Sequence, residues 1–599
     1  MNQSASSQPG HKDLSSLVKN LKATGQLIEI SEPVDPRLEL AEIHRRVIER
    51  EGPALLFSKV KGSSFPVVTN LFGTRKRVDF ALGTRPLDLL QEAAKLPHEL
   101  LPPTISRVWQ KRKTLFSLAK AGTTTRKGNV PVLECVAKNP KLNSLPIITS
   151  WPEDGGPFVT LPLVYTEHPT LGTSNLGMYR IQRYDDNTTG MHMQIGKGGG
   201  FHLAAALEKK QKLPLNVFLG GPPAAIIAAI APLPENVPEL LLASLLIGEK
   251  LALAKNPYGP LPLLADAEFV LIGSVDPEER RLEGPFGDHY GYYSLAHDFP
   301  VFHCEQVVHR KNAIYPATVV GKPRQEDYHI RNYLQQLLSP LFPVVMPAVK
   351  DLWSYGETGF HSLAAAVVRE RYKREAMSSA FRILGEGQLS LTKFLLLLDT
   401  EMDLKNFRAV LEYVLARADF RSDLYVFANL SLDTLDYTGP KLNEGSRGVL
   451  IGMGEARREL PGEFSGALPM GVKEAAVFCK GCLCISGIEY EGEKDAGGRL
   501  AKSKELSGWP LIILCDDAKQ TAASEPSFLW STFTRFEPAA DIYSAGSKIT
   551  RMHIEHEAPI VIDARMKPGY PGEVLCDPET SALVDERFAS YFKGTSWKP

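Results

Sequence analysis

The sequence predicts an α+β protein in three parts: an N-terminal α/β unit over residues 1–125, a strand-dominated, barrel-like unit over 126–323, and a C-terminal α/β unit over 324–599. Three observations carry this reading. Apolar residues near the N-terminus recur at helical spacing between short β-rich runs. From Pro131 to Pro323, β-formers and glycine-rich connections dominate. Beyond Pro323, long helical runs alternate with apolar strands, and one such block occurs twice.

Taken in order, an amphipathic helix over 14–21 leads to a strand over 27–30 and a second helix over 38–49, closed by Gly52-Pro53. The runs PALLFSKV and FPVVTNLFG follow as strands, then helix to about Ala121. The basic loop AGTTTRKGN marks a boundary. TSNLGMYRIQRY, LNVFLGG, EFVLIGSV and FHCEQVVHRKNAIYPATVVG read as strands, with a helix over 238–246 between them. Irregular glycine-rich links favour a barrel-like sheet over a doubly wound one. In the tail, KFLLLLDTEMDLKNFRAVLEYVLARADFRSDLYVF matches PLIILCDDAKQTAASEPSFLWSTFTRFEPAADIYS as strand, acidic turn, helix and strand. Each copy later reaches Pro-Gly-Glu, at 461–463 and 571–573. A repeated unit of this kind implies a sheet covered by helices, not another catalytic centre; chance similarity between two β-α units is the alternative.

Composition narrows the function classes. With 43% apolar and 23% charged residues in 599, the chain has the make-up of a folded globular protein. The 68 basic and 69 acidic side chains leave a net charge of −1, which offers no global footprint for nucleic acid or an anionic membrane, so any charged-ligand site must be local. The opening MNQSASSQPGHKD has no apolar run, and the stretch 217–232 is cut by Pro222-Pro223, so neither a secretory signal nor an integral membrane segment is expected. Seven cysteines, mostly in apolar strands, fit reduced thiols in a cytoplasmic protein. Cys479-Lys-Gly-Cys482-Leu-Cys484, with His553 and His556 downstream, is weak as a metal motif because no second matched pair follows.

Standard signatures fail: Lys197 in IGKGGG lacks the P-loop spacing, H-E-x-x-H and G-x-S-x-G are absent, and Gly452-Met-Gly454 lacks a third glycine. Two segments remain. In NLGMYRIQRYDDNTTGMHMQIGKGGGFH, an extended run puts Arg180, Gln182 and Tyr184 on one face. Asn175, at odd spacing, faces away unless Gly177 forms a bulge. The glycines from 196 to 200 let backbone approach a ligand, with Lys197 available for phosphate. A solvated glycine-rich hairpin is the bland alternative. In LEGPFGDHYGYY, Glu283 and Asp288 flank a rigid turn beside aromatics, where paired carboxylates are expected to split their pKa values and one to hold a proton. Two turn-capping carboxylates are the alternative there.

Collinear segments settle the choice: DLSSLVKNLKATGQLIEISEPVDPRLELAEI, GPALLFSKVKG, NLGMYR, GMHMQ, GGPPAAIIAAIAPLPENVPE, EGPFGDHYGYY and NAIYPATVVGKP together resemble the UbiD family of prenylated-FMN-dependent decarboxylases. The resemblance implies a split-barrel cofactor domain and a C-terminal oligomerisation domain, in a homo-oligomer (dimer or hexamer). It implies metal ligands at Asn175, His202 and Glu239, an N/O set suited to Mn²⁺ or Mg²⁺ at the cofactor phosphate, and K⁺ near the carbonyls of Ala228 to Ala231. Cofactor contacts fall on Met178, Tyr179, Arg180, His192, Met193, Gln194, Lys197 and Gly198. Arg180, Glu283 and Asp288 are the implied catalytic set, with aspartate in the acid position as in hydroxybenzoate-acting members.

The function so implied is non-oxidative decarboxylation of a hydroxybenzoate- or naphthoate-like aromatic acid on a quinone pathway, or of an α,β-unsaturated acid, with a flavin prenyltransferase as cofactor supplier. A carboxylase working in the reverse sense and a non-catalytic binding or assembly homologue stay open.

Overall fold

The structure is a computed structural model that describes residues 10–137, 141–194, 198–233, 237–595 and 597. The chain divides into two compact units, residues 1–337 with 573–599, and residues 338–572. The last residues of the chain therefore return to the first unit.

In the first unit the helix Leu14–Ala23 buries Leu14, Leu17, Val18 and Leu21, the i, i+3, i+4, i+7 stripe legible in the sequence. Asp13 caps it by accepting the Ser16 N–H at 2.7 Å. Strand Leu27–Ile30 then pairs in parallel with Ala54–Phe57, which joins Val67–Thr69 and Tyr315–Pro316 in a four-stranded sheet. The helix Glu39–Glu49 is held from the C-terminus: Tyr591 donates to Glu39 at 2.6 Å, and Arg46 pairs with Asp585 at 2.5 Å.

The larger sheet has nine strands. Its spine is the long antiparallel pair Phe269–Glu283 and His297–His309, flanked by Leu213–Leu219, Pro162–Glu167 and Ser174–Gly177 on one side and Thr188–Met191, Ile181–Arg183 and Phe158–Val159 on the other. Cys135–Val136 pairs off this path. Among the described residues the two outermost strands, Phe158–Val159 and Ser174–Gly177, do not pair with each other, so this sheet, expected to be barrel-like, forms no closed barrel. Val164, Val217, Leu271 and Phe302 bring this sheet into the same core cluster as Ile28, Ile43, Leu55 and Val67.

The second unit contains two five-stranded sheets of matching order. The first runs Val349–Ser354, Leu363–Val368, Phe394–Leu398, Glu444–Ile451, Leu424–Ser431; the second runs Glu474–Cys479, Cys482–Ser486, Leu511–Leu514, His553–Asp563, Ile542–Thr550. Outer pairs are antiparallel and inner pairs parallel in both. Cys479, Cys482, Cys484 and Cys515 lie in the core that joins these sheets. Burial pushes the Cys482 and Cys484 thiols well above their ordinary value, the inert form of the residue. His553 and His556 instead meet the Arg421 carbonyl and Ser544, and no group of three or more His, Cys, Asp or Glu side chains placed to hold a metal occurs among the described residues.

Candidate active site

Arg180, Gln182 and Tyr184 do share a face, and that face meets the segment 281–288. Gln182 accepts the Gly284 N–H at 2.8 Å and donates to the Gly155 carbonyl at 2.7 Å, while the Tyr184 hydroxyl donates to the Leu282 carbonyl at 2.8 Å. Arg180 donates through Nε and Nη2 to the two oxygens of Glu283 at 2.8 and 2.9 Å, and through Nη1 to Asp288 at 2.5 Å. Its guanidinium carbon lies 4.8 Å from the Phe286 ring centroid. Glu283 comes from the end of the long strand Phe269–Glu283; Asp288 comes from the following turn, whose short strands Phe286–Gly287 and Tyr293–Ser294 fix its shape.

The carboxylates differ from the sequence expectation in one respect. Burial alone would raise the Glu283 carboxyl, but the Arg180 charge and hydrogen bonds from His192 and Arg180 hold it at about 2. Burial also opposes ionisation of Asp288, yet its hydrogen bond from His289 and the Arg180 charge keep it well below the usual carboxylate range. Neither carboxyl holds a proton near neutrality in this state, because a cation stands between them.

Histidines flank both acids. His192 Nδ1 lies 3.1 Å from Glu283, its ring sits tilted with its centroid 4.2 Å from that of Phe299, and Gln194 approaches its Nε2 at 3.1 Å. His289 meets Asp288 through its backbone N–H at 2.7 Å and through Nδ1 at 2.8 Å, and Arg331 reaches its other ring nitrogen at 3.4 Å. The returning chain supports this turn, since Val574 donates to the Gly291 carbonyl at 3.0 Å and Glu573 pairs with Lys322 at 2.7 Å.

Asn175 is on a separate strand, Ser174–Gly177, opposite Thr166. The chain leaves that strand at Gly177, where a Cβ would lie 2.3 Å from the Tyr179 hydroxyl, so the parity argument from Arg180 does not apply and no bulge is needed. Thr166 hydrogen-bonds His202 Nδ1 at 2.8 Å, and Glu239, at the start of the helix Glu239–Ile247, accepts the Leu176 N–H at 2.8 Å. The three expected metal ligands thus gather around one strand pair. Burial and the nearby His168 push His202 down to about 4, so its imidazole is neutral, and burial raises Glu239 against the N–H groups of Leu176 and of Glu239 itself.

Tyr179 accepts from the Gly199 N–H at 3.0 Å and from Asn175 at 3.4 Å, and a Cβ on Gly198 would lie 1.9 Å from Asn175 Oδ1. Glycine is required there by close approach. Met178 is half-buried, and the Met193 side chain packs in the core. Lys197 lies outside the described residues. The carbonyls of Ala228 and Ala231, expected near K⁺, accept the N–H groups of Ala231 and Leu233 at 3.2 and 2.8 Å.

Sequence reasoning missed Thr166, which orients His202, and Asp154. Asp154 accepts N–H groups from Ser150, Trp151 and Gly287 at 2.9–3.0 Å, and burial raises it to about 6. No spacing signal ties either residue to the site.

Family profiles match three parts of the chain: the N-terminal domain of 3-octaprenyl-4-hydroxybenzoate carboxy-lyase over 18–96, its Rift-related domain over 123–323, and its C-terminal domain over 328–452. The second five-stranded sheet lies beyond these matches. A Chlamydia pneumoniae protein named as a subunit of 4-hydroxybenzoate decarboxylase is 54% identical over 568 residues, covering 95% of this chain and 96% of the relative. An uncharacterised Chlamydia trachomatis protein is 52% identical over 581 residues, covering 97% and 99%. Among solved structures, the closed form of the vanillic acid decarboxylase of Sedimentibacter hydroxybenzoicus is similar with a TM-score of 0.66 at 22% identity, covering 77% of this chain and 96% of that one. The UbiD-class enzyme HmfF of Pelotomaculum thermopropionicum, in complex with FMN, is similar with a TM-score of 0.61 at 23% identity, covering 77% and 98%. The chain belongs to the UbiD family of carboxy-lyases.

Proposed function

We propose that this chain decarboxylates a hydroxybenzoate- or naphthoate-like aromatic acid with prenylated FMN, and that Asn175, His202 and Glu239 hold the Mn²⁺ or Mg²⁺ that binds the cofactor phosphate. The observation that carries the reading is Arg180 set between Glu283 and Asp288. The hydroxybenzoate class is supported by the name of the chlamydial relative. The ligand assignment is supported by donor chemistry: a neutral imidazole, an amide oxygen and a half-buried carboxylate that pairs with no cation among the described residues fit a divalent ion. K⁺ near Ala228 to Ala231, a flavin prenyltransferase as supplier, a cytoplasmic homo-oligomer and a place in quinone synthesis belong to the same reading.

Breaking the bond from an sp² carbon to a carboxylate leaves an electron pair on that carbon, and prenylated FMN, when bound, supplies the sink for it. The chain's residues orient the acid and manage one proton. Arg180 is fixed by the Glu283 fork, so the nitrogen facing Asp288 is the one a substrate carboxylate can reach. As that carboxylate takes a share of the guanidinium charge, Asp288 loses the interaction that keeps it ionised and its proton affinity rises. His289, in contact with it, is placed to pass the proton in. Asp288 then delivers it to the carbon that has lost CO₂.

The test is protein produced together with a flavin prenyltransferase and offered a panel of hydroxybenzoates and naphthoates, with CO₂ release followed. Flavin-loaded protein inert towards the whole panel would refute the substrate class. Product that forms only with added bicarbonate would reverse the direction.

A further inference from the structure

The segment after residue 100 differs from the rest of the first unit. Its two short helices, Ile105–Gln110 and Arg112–Ala119, contain no buried residue. Ile105, Val108 and Trp109 share one face by their i, i+3, i+4 spacing, and they are 91%, 44% and 67% exposed. Phe116 is 66% exposed on the next helix, and Leu101 is 64% exposed just before them. Large apolar side chains scattered singly need no explanation, but a cluster of this kind marks an interaction surface.

The charge of the segment says what it would meet. Residues 101–121 hold Arg107, Lys111, Arg112, Lys113 and Lys120 and no Asp or Glu, in a chain whose net charge is −1. Lys111 is turned back to Glu99 at 2.5 Å. The other four make no ion pair among the described residues. Arg112 donates to the Trp109 carbonyl at 2.8 Å with its guanidinium 4.7 Å from that ring, and the Lys120 ammonium lies 5.0 Å from the Phe116 ring. Cations therefore sit beside the exposed aromatics, the arrangement of an interfacial anchor whose apolar groups enter the acyl boundary while the charges stay among headgroups. A second copy would fit poorly, because a twofold contact would set basic patch against basic patch without acids to neutralise it. No helix among the described residues is long and apolar enough to cross a membrane.

We propose that residues 101–121 form a peripheral docking surface for an anionic lipid bilayer, with Leu101, Ile105, Trp109 and Phe116 inserted and Arg107, Arg112, Lys113 and Lys120 on the headgroups. The test is flotation of the full chain with vesicles of phosphatidylcholine alone or with about a third phosphatidylglycerol, since each basic residue near such a surface adds to binding. The proposal expects at least ~10-fold enrichment on the anionic vesicles, lost at ~0.5 M salt, where screening is nearly complete. The pairs Trp109→Ser with Phe116→Ser, and Arg112→Glu with Lys113→Glu, should each reduce it by ~10-fold or more with unchanged melting curves. Trp109→Phe keeps an apolar ring, so it should still bind while losing the quenching of tryptophan fluorescence by brominated lipid. That readout stands even if a serine variant fails to fold. No vesicle binding, or quenching unchanged in Trp109→Phe, overturns the proposal. So does a fall in oligomer mass by light scattering in the serine pair without vesicle binding by the parent, which would make the face a contact between copies.

Discussion

Arg180 grips Glu283 at two points, 2.8 and 2.9 Å, and this leaves a single guanidinium nitrogen to meet Asp288. The asymmetry separates two jobs. Glu283, fully buried and also bonded to His192, sets the plane of the guanidinium. Asp288, held by one contact on that side, is the acid that can be released from it.

A lysine at 180 would keep the charge and lose the fork. Lys presents a compact ammonium that cannot address two oxygens of Glu283 and a second acid together. Arg180→Lys is expected to retain fold and flavin while turnover falls by at least ~100-fold, the scale of a misplaced catalytic group. Steady-state kinetics on the cofactor-loaded protein measure this, and near-normal turnover would assign Arg180 to structure.

Glu239 offers a separable test of the proposed metal site. Glu239→Gln keeps an acceptor for the Leu176 N–H and removes the charge a divalent ion needs. Metal content and bound flavin are expected to fall together in the purified variant, measured by elemental analysis and flavin absorbance. Full flavin occupancy without metal would contradict the assignment.

The Arg180 cluster also fixes the sign of a pH effect. Glu283 is lowered from 4.5 to about 2 and Asp288 is lowered from 3.8, so the folded protein binds fewer protons than the unfolded chain in acid. Stability from this cluster is complete above about pH 5 and is lost as pH falls through the folded values. Glu283→Gln removes one of the lowered carboxyls, so its thermal midpoint is expected to fall less steeply than that of the parent between about pH 5 and pH 2.5. Parallel curves would mean that Glu283 is no more perturbed folded than unfolded.

Local pattern made much of this legible. The stripe Leu14, Leu17, Val18 and Leu21 fixed a helix, and alternation placed Arg180, Gln182 and Tyr184 on one face. The matched strand and helix order of the tail became two sheets of the same topology. What the sequence hid depends on contacts distant along the chain. Glu283 and Asp288 were readable as a pair, but not the guanidinium over a hundred residues away that holds both ionised. Asn175 reads as facing away only if one strand is assumed, whereas the chain ends one strand at Gly177 and starts another at Ile181. Thr166 on His202, and the return of Glu573 and Val574 to the Asp288 turn, carry no local signal at all.

The proposed proton donor gives the sharpest test. Asp288 is ionised in the free structure, so it can act as an acid only after substrate weakens the Arg180 contact and a proton arrives through His289. An amide at 288 keeps the size and can still meet Arg180 through its oxygen, but it cannot deliver a proton. Asp288→Asn is therefore expected to retain metal and flavin, to lose turnover by roughly 100-fold or more, and to stop product-linked entry of solvent deuterium into the ring carbon. His289→Phe separates supply from delivery: Asp288 remains, so exchange should persist at a reduced rate, with the acid limb of the pH profile displaced because the hydrogen bond that lowers Asp288 is gone. If Asp288→Asn instead exchanges deuterium at the parent rate, the proton comes from elsewhere, and Glu283 with His192 is the remaining acid and base pair within contact of Arg180.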